Sequence, residues 1–165
     1  VEYFKNINNL LQKTLVTDAH GRATLLDNAF RRIIQLVLGL KVKNNKLIFI
    51  GNGGSASIAS HMATDFLKNG EIPAIAFNDA SLITCLSNDL GYENVFKKPV
   101  EMLAGKGDLL FAISSSGRSA STAPPCVRSS TPERIGKCFR SPRTESSGAL
   151  TPGSPSRRAA RQRAG

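Results

Sequence analysis

The chain has 165 residues, enough for one domain and a tail, and its 41% hydrophobic and 21% charged residues are typical of a globular protein. No apolar run approaches the roughly 18–20 residues that span a bilayer. The net charge of +10 is uneven: residues 1–119 contain 13 basic and 10 acidic residues, whereas residues 120–165 contain nine and two. We therefore expect neither a membrane nor a nucleic acid as partner of the main body.

The N-terminal sequence and the cysteines both bear on location. No basic segment followed by an apolar one is found at the N-terminus, so no signal peptide is predicted. Cys85, Cys126 and Cys138 are an odd number without the spacing of a metal site. A reducing compartment is expected, and the predicted location is cytoplasmic.

Two amphipathic helices are predicted at the N-terminal end of the chain. Phe4, Ile7, Leu11 and Leu15 recur at intervals of three or four residues, which is the spacing of one helical face. A second apolar stripe runs over residues 26–40, and Asn44-Asn45 should end that helix.

Short apolar strands then alternate with helices. The predicted strands are 46–50, 73–77 and 108–113, and the predicted helices are 56–68, 79–86, with Asp79 as cap, and 92–103. This alternation predicts an α/β fold, in which a parallel sheet is covered by helices on both faces. Ligands of such sheets bind at the carboxyl ends of the strands.

The composition changes after Ala120. Residues 121–165 contain six of the eight prolines, eight arginines and one lysine, and they have no apolar periodicity. We divide the chain into a domain of residues 1–120 and a tail of residues 121–165. The tail is either a disordered Ser/Pro/Arg-rich extension or the product of a frameshift near Ser119, because these residue types are what GC-rich codons often encode out of register.

Two loops at predicted strand ends have the composition of a phosphate site. GNGGS (51–55) joins a strand to a helix, so its backbone N–H groups and the positive end of the helix dipole can face an anion. Ser55 can cap that helix or donate its hydroxyl to a ligand. SSSGRS (114–119) follows the third strand and supplies hydroxyl and backbone donors. A tight turn and a flexible linker are the alternatives for these two segments.

GNGGSA also matches the G-x-G-x-x-G/A fingerprint of dinucleotide-binding folds, with Asp79 near the position of a ribose ligand. A nucleotide-binding fold is therefore a competing hypothesis. A dinucleotide fold needs no second serine-rich loop, so the pair of loops favours a small monophosphorylated ligand.

His61 and Asp65 lie four residues apart on the predicted helix and share a face. Such a pair can bind a divalent metal or act in proton transfer. It can equally be an ordinary polar pair on a solvated helix face.

Three segments, GNGGSASIASHMATDFLKNG, AFNDASLITCLSNDLGYENVF and GDLLFAISSSGRSA, resemble the sugar isomerase (SIS) domain, and within it the phosphoheptose isomerases. The resemblance covers about residues 1–120. It implies a three-layer, flavodoxin-like parallel sheet and a homotetramer in which the N-terminal helices pack together. It also implies an aldose–ketose isomerisation of sedoheptulose 7-phosphate to glycero-manno-heptose 7-phosphate.

The resemblance further implies roles for individual residues. The implied substrate contacts are Asn52, Gly53, Gly54, Ser55, Asn88, Asp89, Ser114, Ser115, Ser116 and Ser119. His61 matches a zinc ligand, and Asp65 stands where these isomerases carry a glutamate that is both metal ligand and catalytic base.

The chain departs from this pattern in two ways. Asp65 is one methylene shorter than glutamate, and no histidine follows Ser119, although the family takes further zinc ligands from a C-terminal helix. The last strands of the sheet are also expected to be missing. We therefore expect impaired turnover, and the alternative is a non-catalytic SIS module that binds a phosphosugar or a partner protein.

Overall fold

The computed structural model describes residues 2–18, 20–115, 117, 119–122 and 135–140. Helices α1 (Glu2–Gln12) and α2 (Leu26–Lys43) begin the chain. Between them a small antiparallel hairpin pairs β1 (Val16–Thr17) with β2 (Ala23–Thr24). Asn44 follows α2 in the left-handed conformation and ends it where the sequence predicts.

The remaining strands form one parallel sheet. They are β3 (Leu47–Gly51), β4 (Ala74–Ala76), β5 (Asp108–Ile113) and β6 (Ile135–Arg140), in the spatial order β4-β3-β5-β6. In the register Gly51 is opposite Ile113, so β3 and β5 end side by side. The loops that follow these two strands therefore start next to each other at the carboxyl end of the sheet.

Helices cover both faces of this sheet. The helices after β3 are α3 (Gly54–Lys68), α4 (Ala80–Leu90) and α5 (Lys97–Leu103), with a 3-10 turn at Tyr92–Asn94. Asp79 caps α4, because its carboxylate accepts a hydrogen bond from the Leu82 N–H at 2.9 Å, as the sequence predicts. None of the helices in the described ranges is long and apolar enough to cross a membrane.

The side chains of β3 alternate between two hydrophobic clusters, one on each face of the sheet. Leu47 and Phe49 pack with α2 and α3, whereas Ile48 and Ile50 pack with the segment that contains α5. All four side chains are almost completely buried, which explains why the strand reads as a continuous apolar run. The alternation produces the predicted three-layer arrangement.

Phe49 also joins α3 directly to the sheet. Its ring stacks between those of Phe66 on α3 and Phe111 on β5, at centroid distances of 5.8 and 5.2 Å. Stacked aromatic pairs contribute about 0.5–1.5 kcal/mol beyond the burial of their area. The stack holds α3 against the two strands whose ends carry the glycine and serine loops.

The fourth strand differs from the sequence-based expectation. We expected no strand after residue 113 and an irregular tail, yet Ile135–Arg140 pairs in parallel with β5. We expected an irregular tail because residues 121–165 show no apolar periodicity. The strand Ile135–Arg140 has only six residues, two of them basic, so it does not produce such a pattern. Residues 123–134 and 141–165 lie outside the described part of the chain, so the rest of the predicted tail is untested.

A buried ion pair ties β3 to β5 at the opposite end from the loops. Asp108 is 2% exposed, and its carboxylate accepts hydrogen bonds from Lys46 Nζ at 2.6 Å, from Lys46 N at 2.9 Å and from Gly105 N at 2.7 Å. Burial acts to raise the pKa of Asp108, but the hydrogen bonds from Lys46 and Gly105 outweigh it and hold that pKa below its ordinary value of 3.8. The ionised carboxylate therefore stabilises the folded state.

The variant Asp108→Asn should lower the free energy of unfolding at neutral pH by about 2–4 kcal/mol, because one carboxylate oxygen is replaced by a donor that faces other donors. Since the folded pKa lies below 3.8, the wild-type contribution is complete above that value and is lost as the pH falls through the lowered pKa. The acid loss of stability should therefore be smaller in the variant. Urea unfolding at several pH values measures this, with the exposed Asp27→Asn as control. Equal acid sensitivity of Asp108→Asn and wild type would contradict the assignment.

Candidate functional site

The first loop is shaped by glycines at the junction of β3 and α3. Gly53 has φ 55° and ψ −126°, a conformation that only glycine adopts readily. Gly51 is buried, and a Cβ built on it would lie 2.6 Å from the carbonyl oxygen of Ser55. The first turn of α3 thus packs directly against the end of β3, which requires a residue without a side chain.

Ser55 is buried within this first turn. Its backbone N–H donates to the Asn52 carbonyl at 3.0 Å, and α3 begins after Gly53 without a side-chain cap. Of the two roles expected for Ser55, capping of the helix is therefore wrong. Its side chain instead lines the cleft described below.

The second loop leaves β5 beside the first one. Ser114 is 8% exposed, and its Oγ accepts a hydrogen bond from Gly117 N at 3.0 Å, so that the loop turns around this hydroxyl. Because the Ser114 oxygen acts here as the acceptor, its O–H can still donate to a ligand. Ser115 is exposed, Ser119 is half-buried, and Ser116 lies outside the described residues.

The two loops enclose a cleft of about 110 Å³. Its lining is Asn52, Ser55, Ile113, Ser114, Ser115 and Ser119. The N-terminal end of α3 lies at this cleft, so the positive end of its dipole is combined with several hydroxyl donors. The arrangement can bind a small anion through neutral donors.

The size of the cleft bears on the dinucleotide hypothesis. Sites for larger organic ligands typically enclose about 300–1,000 Å³, whereas this cleft has about 110 Å³. That volume suits a phosphoryl group. Asp79, the expected ribose ligand, is engaged as the cap of α4. Both observations favour a monophosphorylated ligand over a dinucleotide.

A hydrogen-bond network joins the loops across the cleft. Asn52 Nδ2 donates to Ser119 Oγ and to Ser121 Oγ, both at 2.8 Å, and the two hydroxyl oxygens are 3.1 Å apart. On the other side, the Tyr92 hydroxyl donates to Asn52 Oδ1 at 2.9 Å. Ser121 belongs to a short 3-10 turn, Ala120–Thr122, and is 1% exposed.

Sequence reasoning missed Tyr92 and Ser121. Tyr92 stands within the segment SNDLGYENVF, and Ser121 follows the serine loop by two residues, but neither has a pattern that marks it. Their role depends on hydrogen bonds to Asn52, which is 40 positions from Tyr92 and 69 positions from Ser121 in the sequence. Only the tertiary structure provides this information.

His61 and Asp65 share one face of α3, as expected from their spacing. His61 Nε2 is 3.3 Å from Asp65 Oδ2, and the two side chains are 76% and 45% exposed. Within the described ranges, no group of three or more His, Cys, Asp or Glu side chains is placed to hold a metal ion. Two donors fall short of the three protein ligands of a typical catalytic zinc site, so this part of the chain does not form one by itself.

Asn88 and Asp89 lie in the last turn of α4 and are exposed. Asn88 Nδ2 donates to Asp89 Oδ1 at 2.9 Å, and Cys85 Sγ is 3.6 Å from Asp89 Oδ2. These side chains are outside the lining of the cleft, but Tyr92, just after α4, reaches the glycine loop. A role for Asn88 and Asp89 as substrate contacts stays a prediction.

A larger and more open groove lies between α3 and β4, which is an edge strand of the sheet among the described residues, and its volume is about 290 Å³. Its lining is Ser60, Ala63, Thr64, Leu67, Ala74, Ile75, Ala76 and Asn78. The Asn78 side chain is already bonded to Ser60 Oγ at 2.6 Å and to the Ala56 carbonyl at 3.0 Å. This groove lacks the helix N-terminus and the group of serine hydroxyls that meet at the strand-end cleft, so we place the candidate site at that cleft.

Comparisons with known proteins show which family the chain resembles. A family model for the SIS domain matches residues 2–124. The phosphoheptose isomerase of Helicobacter pylori is 37% identical over 124 residues, which are 68% of this chain and 64% of that protein. The phosphoheptose isomerase of Nitratidesulfovibrio vulgaris strain Miyazaki F is 39% identical over 97 residues, 53% of this chain and 47% of that protein. The chain spans about half the length of the curated relatives it matches.

Two solved structures have the same fold. The phosphoheptose isomerase GmhA of Neisseria gonorrhoeae aligns with a TM-score of 0.57 and 34% identity, covering 66% of this chain and 57% of that one. A phosphoheptose isomerase of Francisella tularensis aligns with a TM-score of 0.62 and 27% identity, covering 70% and 61%. The predicted fold class and the resemblance are both confirmed.

Replacing Gly51 by alanine should lower the free energy of unfolding by about 1–3 kcal/mol, because the new methyl group would overlap the backbone of Ser55 and force α3 away from β3. The matched control is Gly39→Ala within α2, where a Cβ meets nothing within 4 Å. That control should raise stability by about 0.5–1 kcal/mol. Urea denaturation measures both, and an unchanged Gly51→Ala protein would contradict the close approach.

Proposed function

This chain belongs to the SIS domain family, and on that premise we propose that it binds the phosphate group of sedoheptulose 7-phosphate in the strand-end cleft. The observation that carries the proposal is the convergence of the glycine and serine loops on one small cleft. The named relatives, which are phosphoheptose isomerases, support this choice of sugar. The cytoplasm stays the predicted location.

Phosphate binding would position the reacting part of the sugar. A phosphoryl group held by backbone N–H and serine hydroxyl donors supplies binding energy remote from the carbons that react. An aldose–ketose isomerisation moves a proton between two adjacent carbons and needs a carboxylate as general base. We assign this role to Asp65, whose carboxylate lies beside His61 on α3.

His61 and Asp65 are also the residues that would hold zinc, which when bound polarises the sugar carbonyl. The pair provides only two donors, and Asp65 is shorter than the glutamate of the family pattern. A general base displaced by about 1 Å can cost on the order of a hundredfold in rate. We therefore propose that this chain binds its substrate better than it converts it.

A second copy of the chain is the proposed partner of α2. One face of this helix carries large apolar side chains at every fourth position, and all are 42–88% exposed. These residues are Leu26, Phe30, Ile34, Leu38 and Val42. A stripe of this kind on an 18-residue helix is self-complementary and suits helix–helix packing. It supports the homotetramer implied by the family resemblance.

The second candidate is a non-catalytic SIS module that senses a phosphosugar or binds a partner protein. The incomplete donor set around His61 and Asp65 favours it. Both candidates share the phosphate cleft, so binding does not distinguish them, whereas any residual zinc-dependent turnover would favour the isomerase.

Sedoheptulose 7-phosphate should bind to the 165-residue protein, and Ser119→Ala should weaken that binding by about 10- to 100-fold through loss of a hydrogen bond to a charged group. Isothermal titration measures the affinity, with Ser81→Ala on the exposed surface of α4 as the matched control. Binding of NAD in place of the sugar phosphate would contradict the proposal and support the nucleotide hypothesis.

The same samples should be assayed for turnover in the presence of zinc. We expect little or none, since a typical catalytic site has three protein ligands. Rapid zinc-dependent turnover by the verified chain would overturn the view that its chemistry is impaired, while leaving the substrate assignment intact.

The double variant Phe30→Glu/Ile34→Glu should dissociate the oligomer, because it places charges in the centre of the apolar stripe of α2. Light scattering after size exclusion measures the mass in solution. Met102→Glu, at an apolar position of α5 that is 66% exposed, is the matched control and should leave the mass unchanged. A wild-type monomer, or a double variant that stays oligomeric, would contradict the proposed interface.

A further inference from the structure

The side chain of Asn52 is bonded within the protein at both of its polar atoms. Its amide nitrogen carries two hydrogens, and these are donated to Ser119 Oγ and Ser121 Oγ at 2.8 Å each. Its oxygen accepts from the Tyr92 hydroxyl at 2.9 Å. In this arrangement the side chain has no N–H left to donate to a phosphoryl oxygen.

These bonds connect three separate parts of the chain. Asn52 follows β3 and Tyr92 begins the turn after α4. Ser119 is the last residue of the serine loop after β5, and Ser121 lies in the 3-10 turn that follows it. The 3-10 turns Tyr92–Asn94 and Ala120–Thr122 are also packed against each other. The Asn52 amide therefore bridges the region between the two loops and the end of α4.

Tyr92 is the hydrogen-bond partner of the Asn52 amide oxygen. An amide can exchange the positions of its oxygen and nitrogen by rotation about one bond, and its partners select the orientation. A hydroxyl that donates to Oδ1 leaves Nδ2 facing the two serines. We propose that Tyr92 is a positioning residue, which acts through Asn52 to hold the serine loop against the glycine loop.

This inference rests on the proposed function only for its consequence on ligand affinity. The serine hydroxyls must be held in place before a phosphoryl group arrives, because each donor that must first be ordered reduces the affinity. In this proposal the Asn52 side chain orders the other contacts, and its own role as a substrate contact stays a prediction. The geometry itself can be tested without any ligand.

The variant Tyr92→Phe removes a single hydroxyl from a residue that is 50% exposed, so the fold should be retained. Hydrogen exchange is read at the Thr122 amide, which donates to the Ser119 carbonyl at 3.3 Å. We expect exchange there to become roughly three- to tenfold faster, the scale of one hydrogen bond. Thr84→Val, which removes an exposed hydroxyl from α4, is the control and should leave this amide unchanged.

A residue that acts through another loses its effect when that other residue is removed. Tyr92→Phe should therefore add nothing to exchange at Thr122 in an Asn52→Ala background. An equal effect in both backgrounds would show that Tyr92 acts by another route and would overturn the proposal. If Asn52→Ala does not fold, the single Tyr92→Phe variant decides, because unchanged exchange at Thr122 overturns the proposal on its own.

Titration with sedoheptulose 7-phosphate gives the second measurement. Tyr92→Phe should weaken binding by roughly three- to tenfold while Thr84→Val does not. If the wild type fails to bind the sugar phosphate, the proposed function fails, but the exchange experiment still decides whether Tyr92 holds the loop. If the wild type binds and Tyr92→Phe binds equally well, the positioning role is wrong and the proposed function stands.

Discussion

The candidate site depends on the close approach of α3 to the end of β3. Gly51 makes this possible, because any side chain at that position would overlap the backbone of Ser55. The packing of α3 against β3 brings the first turn of α3 to the carboxyl end of the sheet, next to the point where β5 ends. If α3 were displaced, its dipole and the Ser55 side chain would no longer face the serine loop.

Contacts within the sheet stabilise the packing of α3 against β3. Phe49 stacks on both Phe66 and Phe111, so the same residue fixes α3 and β5 relative to β3. At the other end of the strands, the Lys46–Asp108 pair fixes the alignment of β3 with β5. The starting points of the two loops are therefore positioned by packing and by hydrogen bonds that lie outside the cleft.

The described cleft presents neutral hydrogen-bond donors, whereas the titratable pair His61 and Asp65 lies on the exposed side of α3. Because of this separation, the proposed phosphate binding can be tested apart from the proposed proton transfer. The hydroxyl groups of the cleft lie within the described residues, while the His61–Asp65 pair has no third potential metal ligand there. Affinity in such a site depends on how well the donors are held in place, and this is why the network around Asn52 matters.

The sequence by itself determined the fold class, most element boundaries and the fact that the glycine and serine loops meet at the carboxyl end of the sheet. Apolar runs, glycines and caps are local signals, and residues such as Asn44 and Asp79 act where the sequence predicts. Only the tertiary structure decided that β6 extends the sheet, that Ser55 lines the cleft, and that Tyr92 and Ser121 converge on Asn52. The physical reason is that hydrogen bonds between residues distant in the chain depend on packing, which leaves no periodic pattern in the sequence.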